Sequence, residues 1–139
     1  MTDPNDCYAY FALYGDDLDP AAVSAELDAI PTQAWRKGDL DQRQRERKTG
    51  HWSLYSRLSR ASDLQEHVAD VLDQMEANST AYAQVGRRFG GTLQLVGYFH
   101  DIGVGLNLSK DVIARLAHYG LDVDVDFYYL YSDRRECTD

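Results

Sequence analysis

The chain predicts an α+β domain: two ferredoxin-like βαβ halves forming one mainly antiparallel sheet, with helices on one face. Three observations predict it. The aromatic-rich run over residues 8–14 leads through Gly15 and acidic residues to a helical stretch over 20–30. That order returns later: residues 92–99 read as a strand, and a Gly-rich loop leads to a helical stretch over 109–119. Each pair is followed by an alternating run, residues 51–58 in the first half and 121–131 in the second. The halves span about 7–60 and 91–132 of a single domain over 1–139, joined by a helical segment over 62–90.

The elements follow in order. Residues 8–14 are rich in Tyr and Phe, which suits a strand buried on one side. Asp19 offers its carboxylate to free backbone N–H groups and Pro20 fits a first helical turn, so a helix starts there. Val23, Leu27 and Ile30 fall at i, i+4 and i+7 as an apolar stripe, and Pro31 stops the helix. A short strand is expected around residues 33–37, with Lys37-Gly38-Asp39 as a turn. Residues 41–49 are nearly all charged or amide-bearing and predict a mobile, solvated loop. In residues 51–58, Trp52 and Leu54, with Ser56 and Leu58, face one way. His51, Ser53, Tyr55 and Arg57 face the other.

Ser62 or Asp63 caps the joining helix, and Ser62 with Gln65 has the capping-box spacing. Leu64, Val68, Val71, Leu72 and Met75 form its core stripe. The stripe breaks at Asn78-Ser79-Thr80 and resumes with Tyr82, Val85 and Phe89. Two consecutive helices are expected, with a new N-cap at Ser79 or Thr80 and an end at Gly90-Gly91; one kinked helix is the alternative. Ser109 caps a helix with Val112, Ile113, Leu116 and Tyr119 inward, and Gly120 ends it. In the last strand Leu121, Val123, Val125, Phe127, Tyr129 and Tyr131 share the core face. Asp122, Asp124, Asp126 and Tyr128 share the other.

Composition narrows the function classes. With 139 residues and 44% hydrophobic residues the chain forms one globular domain rather than a disordered segment. No run approaches the roughly 18 apolar residues of a membrane span. The first six residues lack the basic start and apolar stretch of a secretory signal. Cys7 and Cys137 stand near opposite ends, which fits a reducing cytoplasm rather than a disulfide framework. The net charge is −9, but residues 36–60 hold eight Lys or Arg against three acids, so that segment carries +5 and the remainder −14. An acidic body repels nucleic acid and attracts basic partners.

The most specific polar feature is the comb Asp122, Asp124, Asp126. Carboxylates about 7 Å apart on one strand face repel unless water, a cation or basic groups stand nearby. A solvated sheet surface, recognition of a basic partner and a calcium- or magnesium-type site all satisfy that need. Among His51, His67, His100 and His118 none has a metal-binding spacing with another. His100-Asp101, at a strand end, is a candidate base–carboxylate pair, but neighbours on a strand point apart. No Gly-x-Ser-x-Gly, CxxC or phosphate-loop pattern occurs, and Gly90-Gly91 and Gly103-Val-Gly105 read as turns. The basic segment with Trp35, Trp52 and Tyr55 has the makings of a nucleic-acid surface or of a loop that pairs with the acidic body.

In their order, the opening strand with Asp17-Leu-Asp-Pro20, Ile30-Pro-Thr32, Lys37-Gly-Asp39, Gly50-His-Trp52, Leu64-Gln-Glu-His67, Leu108-Ser109 and Gly120-Leu-Asp-Val-Asp-Val-Asp-Phe-Tyr128 resemble the domain of unknown function 4279 family. The resemblance spans nearly the whole chain. It implies an α+β domain with no catalytic residues to transfer and, for some members, a role as immunity partners in bacterial toxin systems. The expectation is a non-catalytic cytoplasmic binding protein, with no cofactor and no metal, that meets a basic protein partner through Asp101, Asp122, Asp124, Asp126 and Tyr128. Two alternatives remain: a small enzyme using His100, Asp101 and the aspartates with a metal or metabolite, and a nucleic-acid binder using Arg43, Arg45, Arg47 and Trp52. Aromatic sheet faces and edge strands leave homodimerisation open.

Overall fold

A computed structural model describes residues 5–101 and 104–130. In chain order the elements are β1 (Asp6–Gly15), α1 (Pro20–Leu27), β2 (Gln33–Trp35), β3 (Gly50–Tyr55), α2 (Leu64–Met75), a 3-10 turn (Glu76–Asn78), α3 (Ser79–Arg88), β4 (Thr92–Phe99), α4 (Lys110–His118) and β5 (Asp122–Tyr129). The protein is α+β, with one five-stranded, mostly antiparallel open sheet in the order β2-β3-β1-β4-β5. β1 runs antiparallel to both β3 and β4, β2 antiparallel to β3, and β4 parallel to β5.

The two expected halves fold differently. After α1 the chain forms β2 first and then reverses into β3, so β3 lies antiparallel to β1. After α4 it enters β5 directly, and a helical crossover leaves β5 parallel beside β4. Thus β1 and β2 share a direction with β3 between them, and β3 and β4 share a direction with β1 between them.

Strand alternation sets the core. Cys7, Ala9, Phe11 and Leu13 of β1, Trp52 and Leu54 of β3, and Leu93, Leu95 and Phe99 of β4 are buried on one face. Residues of α1, α2, α3 and α4 close over them in one cluster, so the helices cover that face. Burying each of the Leu and Phe side chains among them contributes on the order of 1.5–3 kcal/mol. Trp52 packs edge-on against Phe11 and Tyr82 and donates its indole N–H to Ser24 Oγ at 3.0 Å, which leaves no buried donor unpaired there.

Helix ends explain several departures. Asp19 caps α1 as expected, accepting from the Ala21 N–H at 3.1 Å. The helix then stops at Leu27, because Asp28 turns left-handed at φ 51°. Ile30 therefore leaves the apolar stripe and is 88% exposed. The residue before a proline avoids the helical region in any case. The stripe of α2 is buried as expected, but Asp63 holds the N-cap position without a side-chain bond, so the Ser62–Gln65 box does not form. At the start of α3 the N-cap position belongs to Asn78, not Ser79 or Thr80. Its amide instead donates to the Glu26 and Leu27 carbonyls, which are left over at the end of α1. Ser109 caps α4 through the Val112 N–H at 3.3 Å, while Ile113 turns outward and is exposed.

The charged stretch after β2 is a hydrogen-bonded turn rather than irregular chain. The Gly38 N–H donates to the Arg47 carbonyl, the Arg47 N–H donates to the Asp39 carbonyl, and Leu40 bridges to Glu46. Asp41 Oδ1 accepts from the backbone N–H groups of Arg43 and Arg45. Among the described residues no helix is long and apolar enough to cross a membrane.

Candidate functional site

The alternation that sends Phe11 and Leu13 into the core sends Tyr8, Tyr10 and Tyr14 to the helix-free face. Strand register then gives each a neighbour. Tyr55 lies across from Tyr10 and His51 across from Tyr14 on β3. Gln94 lies across from Tyr10 on β4, and Asp124 across from Gln94 on β5. The Tyr10 and Tyr55 rings stack at 4.4 Å between centroids, inclined by 8°, and Tyr8 continues the stack 5.8 Å from Tyr55. Tyr98 and Tyr128 stack the same way at 4.8 Å. Rings that stack across strands at about the strand spacing stand on edge. Their faces cover one another.

The hydroxyls of Tyr8, Tyr10, Tyr14 and Tyr55 hold their protons. Burial first, then the mutual proximity of other tyrosines, pushes Tyr10 far above the usual phenol range, with the Asp126 charge adding to it. Burial also raises Tyr8, Tyr14 and Tyr55. Arginines close both ends of the aromatic row. The Arg60 guanidinium lies 4.1 Å over the Tyr8 ring and pairs with Asp6. The Arg47 guanidinium lies 3.7 Å over Trp35, which stacks on His51 at 4.2 Å. His51 itself is only 4% exposed, and neither ring nitrogen has a hydrogen-bond partner. Burial, with the Arg47 charge second, lowers its pKa to about 4.

On the other side the row ends in carboxylates. Asp122, Asp124 and Asp126 are exposed along β5, and Tyr128 extends their line. The Gln94 amide donates to Asp126 Oδ2 at 3.0 Å. Asp101 follows the end of β4 and so lies at the Tyr128 end of this line, exposed to solvent. The structure therefore brings the aspartate comb and Tyr128 onto one surface, with Asp101 at its far end.

The other polar candidates lie apart from it. His67 is buried on α2, with Nδ1 2.6 Å from Ser56 Oγ. His118 Nε2 lies 3.0 Å from Ser79 Oγ, beside a cleft of about 440 Å³ between α4 and the 3-10 turn. In that cleft Arg115 is already paired with Asp73 and Glu76. The His100 backbone N–H donates to Asn5 Oδ1. Cys7 is buried, and burial raises its thiol pKa. Cys137, Gly103 and Tyr131 lie outside the described residues. Among the described residues no three His, Cys, Asp or Glu side chains gather as metal ligands would. Much of the basic segment is tied to the acidic body: Arg36 to Asp19, Lys37 to Asp16, Arg57 to Asp70 and Arg60 to Asp6.

Two features of the sheet are absent from the sequence reading. One is the tyrosine row, whose signal was the even spacing of Tyr8, Tyr10 and Tyr14. The other is the exposure of the expected core side of β5, where Val125 and Phe127 are 44% and 38% exposed.

Fold and face together define an α+β domain with helices on one side of its sheet and a tyrosine–aspartate surface on the other. The chain belongs to the family described as Domain of unknown function (DUF4279), whose profile matches residues 5–130. No curated protein and no solved structure matches it.

Proposed function

We propose that this protein is a non-catalytic, cytoplasmic protein-binding module, of the kind an immunity protein provides against a bacterial toxin. Its helix-free face takes a basic protein partner. The observation that carries the reading is the line of Asp122, Asp124, Asp126 and Tyr128 beside a row of upright tyrosines. Tyrosine gives large contact area at low entropy cost and a hydroxyl for bonding, which is why it is enriched at protein interfaces. The carboxylates and the −14 carried outside residues 36–60 would speed encounter with a cationic partner. Nucleic acid is less well served. Bases stack on ring faces, and here the faces of Tyr10 and Tyr55 are turned toward each other. The first four strands follow the interleaved order of a ferredoxin-like unit, to which α4 and β5 add a further crossover.

The test is affinity capture from the host's own lysate with wild-type and Asp124→Lys baits, at low and high salt. The expected result is a stoichiometric basic protein held by wild type, lost with Asp124→Lys and weakened by salt. A partner retained equally by both baits would place recognition elsewhere and sink the proposal.

A further inference from the structure

We propose that the outer edge of β5 accepts an extended segment of the partner as a sixth strand, one that alternates basic and apolar residues. This rests on the reading above and adds how the partner is held. β5 is the last strand of the sheet, and among the described residues no strand lies on its outer side. The Asp122 N–H donates to the Gly91 carbonyl and the Leu130 N–H to the Phe99 carbonyl. Even-numbered residues thus turn their backbone groups toward β4, and Val123, Val125 and Phe127 turn theirs outward.

The side chains along that edge are equally open. Leu121 and Val123 pack against the core to which Leu116 of the short α4 and the following Tyr119 belong, whereas Val125 and Phe127 stay exposed. A strand laid beside β5 would meet carboxylates on one face and apolar side chains on the other. Main-chain bonds would give affinity, and the alternation would fix register. Edges are kept bare by charge, proline or a bulge, and the charge of β5 is acidic alone, which bars a like-charged strand but not a basic one. β5 has no lysine or proline, and its pairing with β4 is unbroken from Asp122 to Tyr129.

Charge selects the occupant. A second copy pairing about a two-fold axis would keep the same face upward in both strands. Of the registers that pair the full strand, one sets Asp124 across from Asp126 and the other sets Asp126 across from itself. Like charges directly opposite destabilise a sheet. A strand with Lys or Arg at those positions turns the same carboxylates into partners.

The probe is a fluorescein-labelled peptide of about nine residues, the length of a typical strand, alternating lysine and valine. Its controls have lysines and valines in separate blocks, or glutamate in place of lysine. Each is titrated against the full chain by anisotropy at about 50 mM salt, where electrostatics are little screened. The alternating peptide should bind about tenfold or more tighter than the block peptide. It should also slow amide exchange at Val123, Val125 and Phe127. Val125→Pro removes an outward N–H while leaving the β4 ladder intact, and should weaken binding by about tenfold. Equal binding of alternating and block peptides overturns the proposal. So does binding without protection of those amides, or a dimer that protects them with no peptide present. Binding that survives Val125→Pro but not Asp124→Lys overturns strand addition while leaving the face as the site. Edge protection by the peptide, with a captured partner indifferent to Asp124→Lys, overturns the face and keeps the edge.

Discussion

Replacing His51 with phenylalanine should stabilise the protein, and by more the lower the pH. At pH 7 the imidazole is neutral, and both its nitrogens are buried without partners. Each unmet buried polar group costs on the order of 1–3 kcal/mol. Phenylalanine keeps the ring between Trp35 and Tyr14 and removes both nitrogens, with some loss to its larger size. The net expectation at pH 7 is a gain of about 1 kcal/mol. Acid adds a second contribution. The folded pKa of about 4 lies below the unfolded value of 6.5, so the unfolded chain takes the proton first as pH falls. Stability is therefore full above pH 6.5 and declines toward pH 4. At 1.36 kcal/mol per unit, the loss reaches about 3 kcal/mol at pH 4. The variant lacks this loss, so its advantage should widen to about 4 kcal/mol. Carboxylates titrate alike in both proteins and cancel in the difference. Urea denaturation followed by far-ultraviolet circular dichroism at several pH values measures it; tryptophan emission would be confounded by Trp35. A difference that stays constant with pH, or a less stable variant at pH 7, would refute the reasoning.

Further outcomes follow from packing and burial. Gly86→Ala would set a Cβ 2.5 Å from the Tyr119 carbonyl oxygen, where α3 crosses the end of α4, and should lower stability by about 2 kcal/mol in thermal or chemical melts. Gly38→Ala meets nothing within 4 Å and carries only the strain of φ +94°, so its cost should stay near 1 kcal/mol. In a spectrophotometric titration the tyrosinate band of Tyr8, Tyr10, Tyr14 and Tyr55 should appear only above the ordinary phenol value of 10. Since the unfolded chain gives up those protons first, stability should fall as pH rises through 10. Normal ionisation of all the tyrosines in the folded protein would contradict the stacked row.

Local chemistry was legible in the sequence, and long-range placement was not. Asp19, Ser109 and the apolar stripe of α2 act within a few residues of themselves, and each does what its spacing implies. Ile30 failed because one left-handed residue, Asp28, ended the helix early. The apparent repeat failed because β2 is only three residues long and polar in part, yet it reverses the chain before β3. The two sides of β5 were read correctly from its alternation. How deeply they are buried depends on how far α4 reaches, which period two cannot report. Likewise Tyr8 and Tyr10 were visible, but Tyr55 and Tyr98 join them only through pairings fixed across the sheet. His51 shows the same limit, since Trp35 of β2 and Arg47, from a loop read as solvated, close over it.

The position of β5 has a consequence for how such a protein can change. β1 is paired on both sides and places Cys7, Ala9, Phe11, Ala12 and Leu13 in the interior, so substitutions there disturb the whole molecule. β5 is outermost, and its exposed residues from Asp124 onward contribute little to the core. Mutations along it are therefore tolerated by the scaffold while altering whatever the surface touches. Under the binding role proposed above, heritable variation on this strand would change the recognised partner at small cost to folding, so that lineages would diverge in recognition while sharing one architecture.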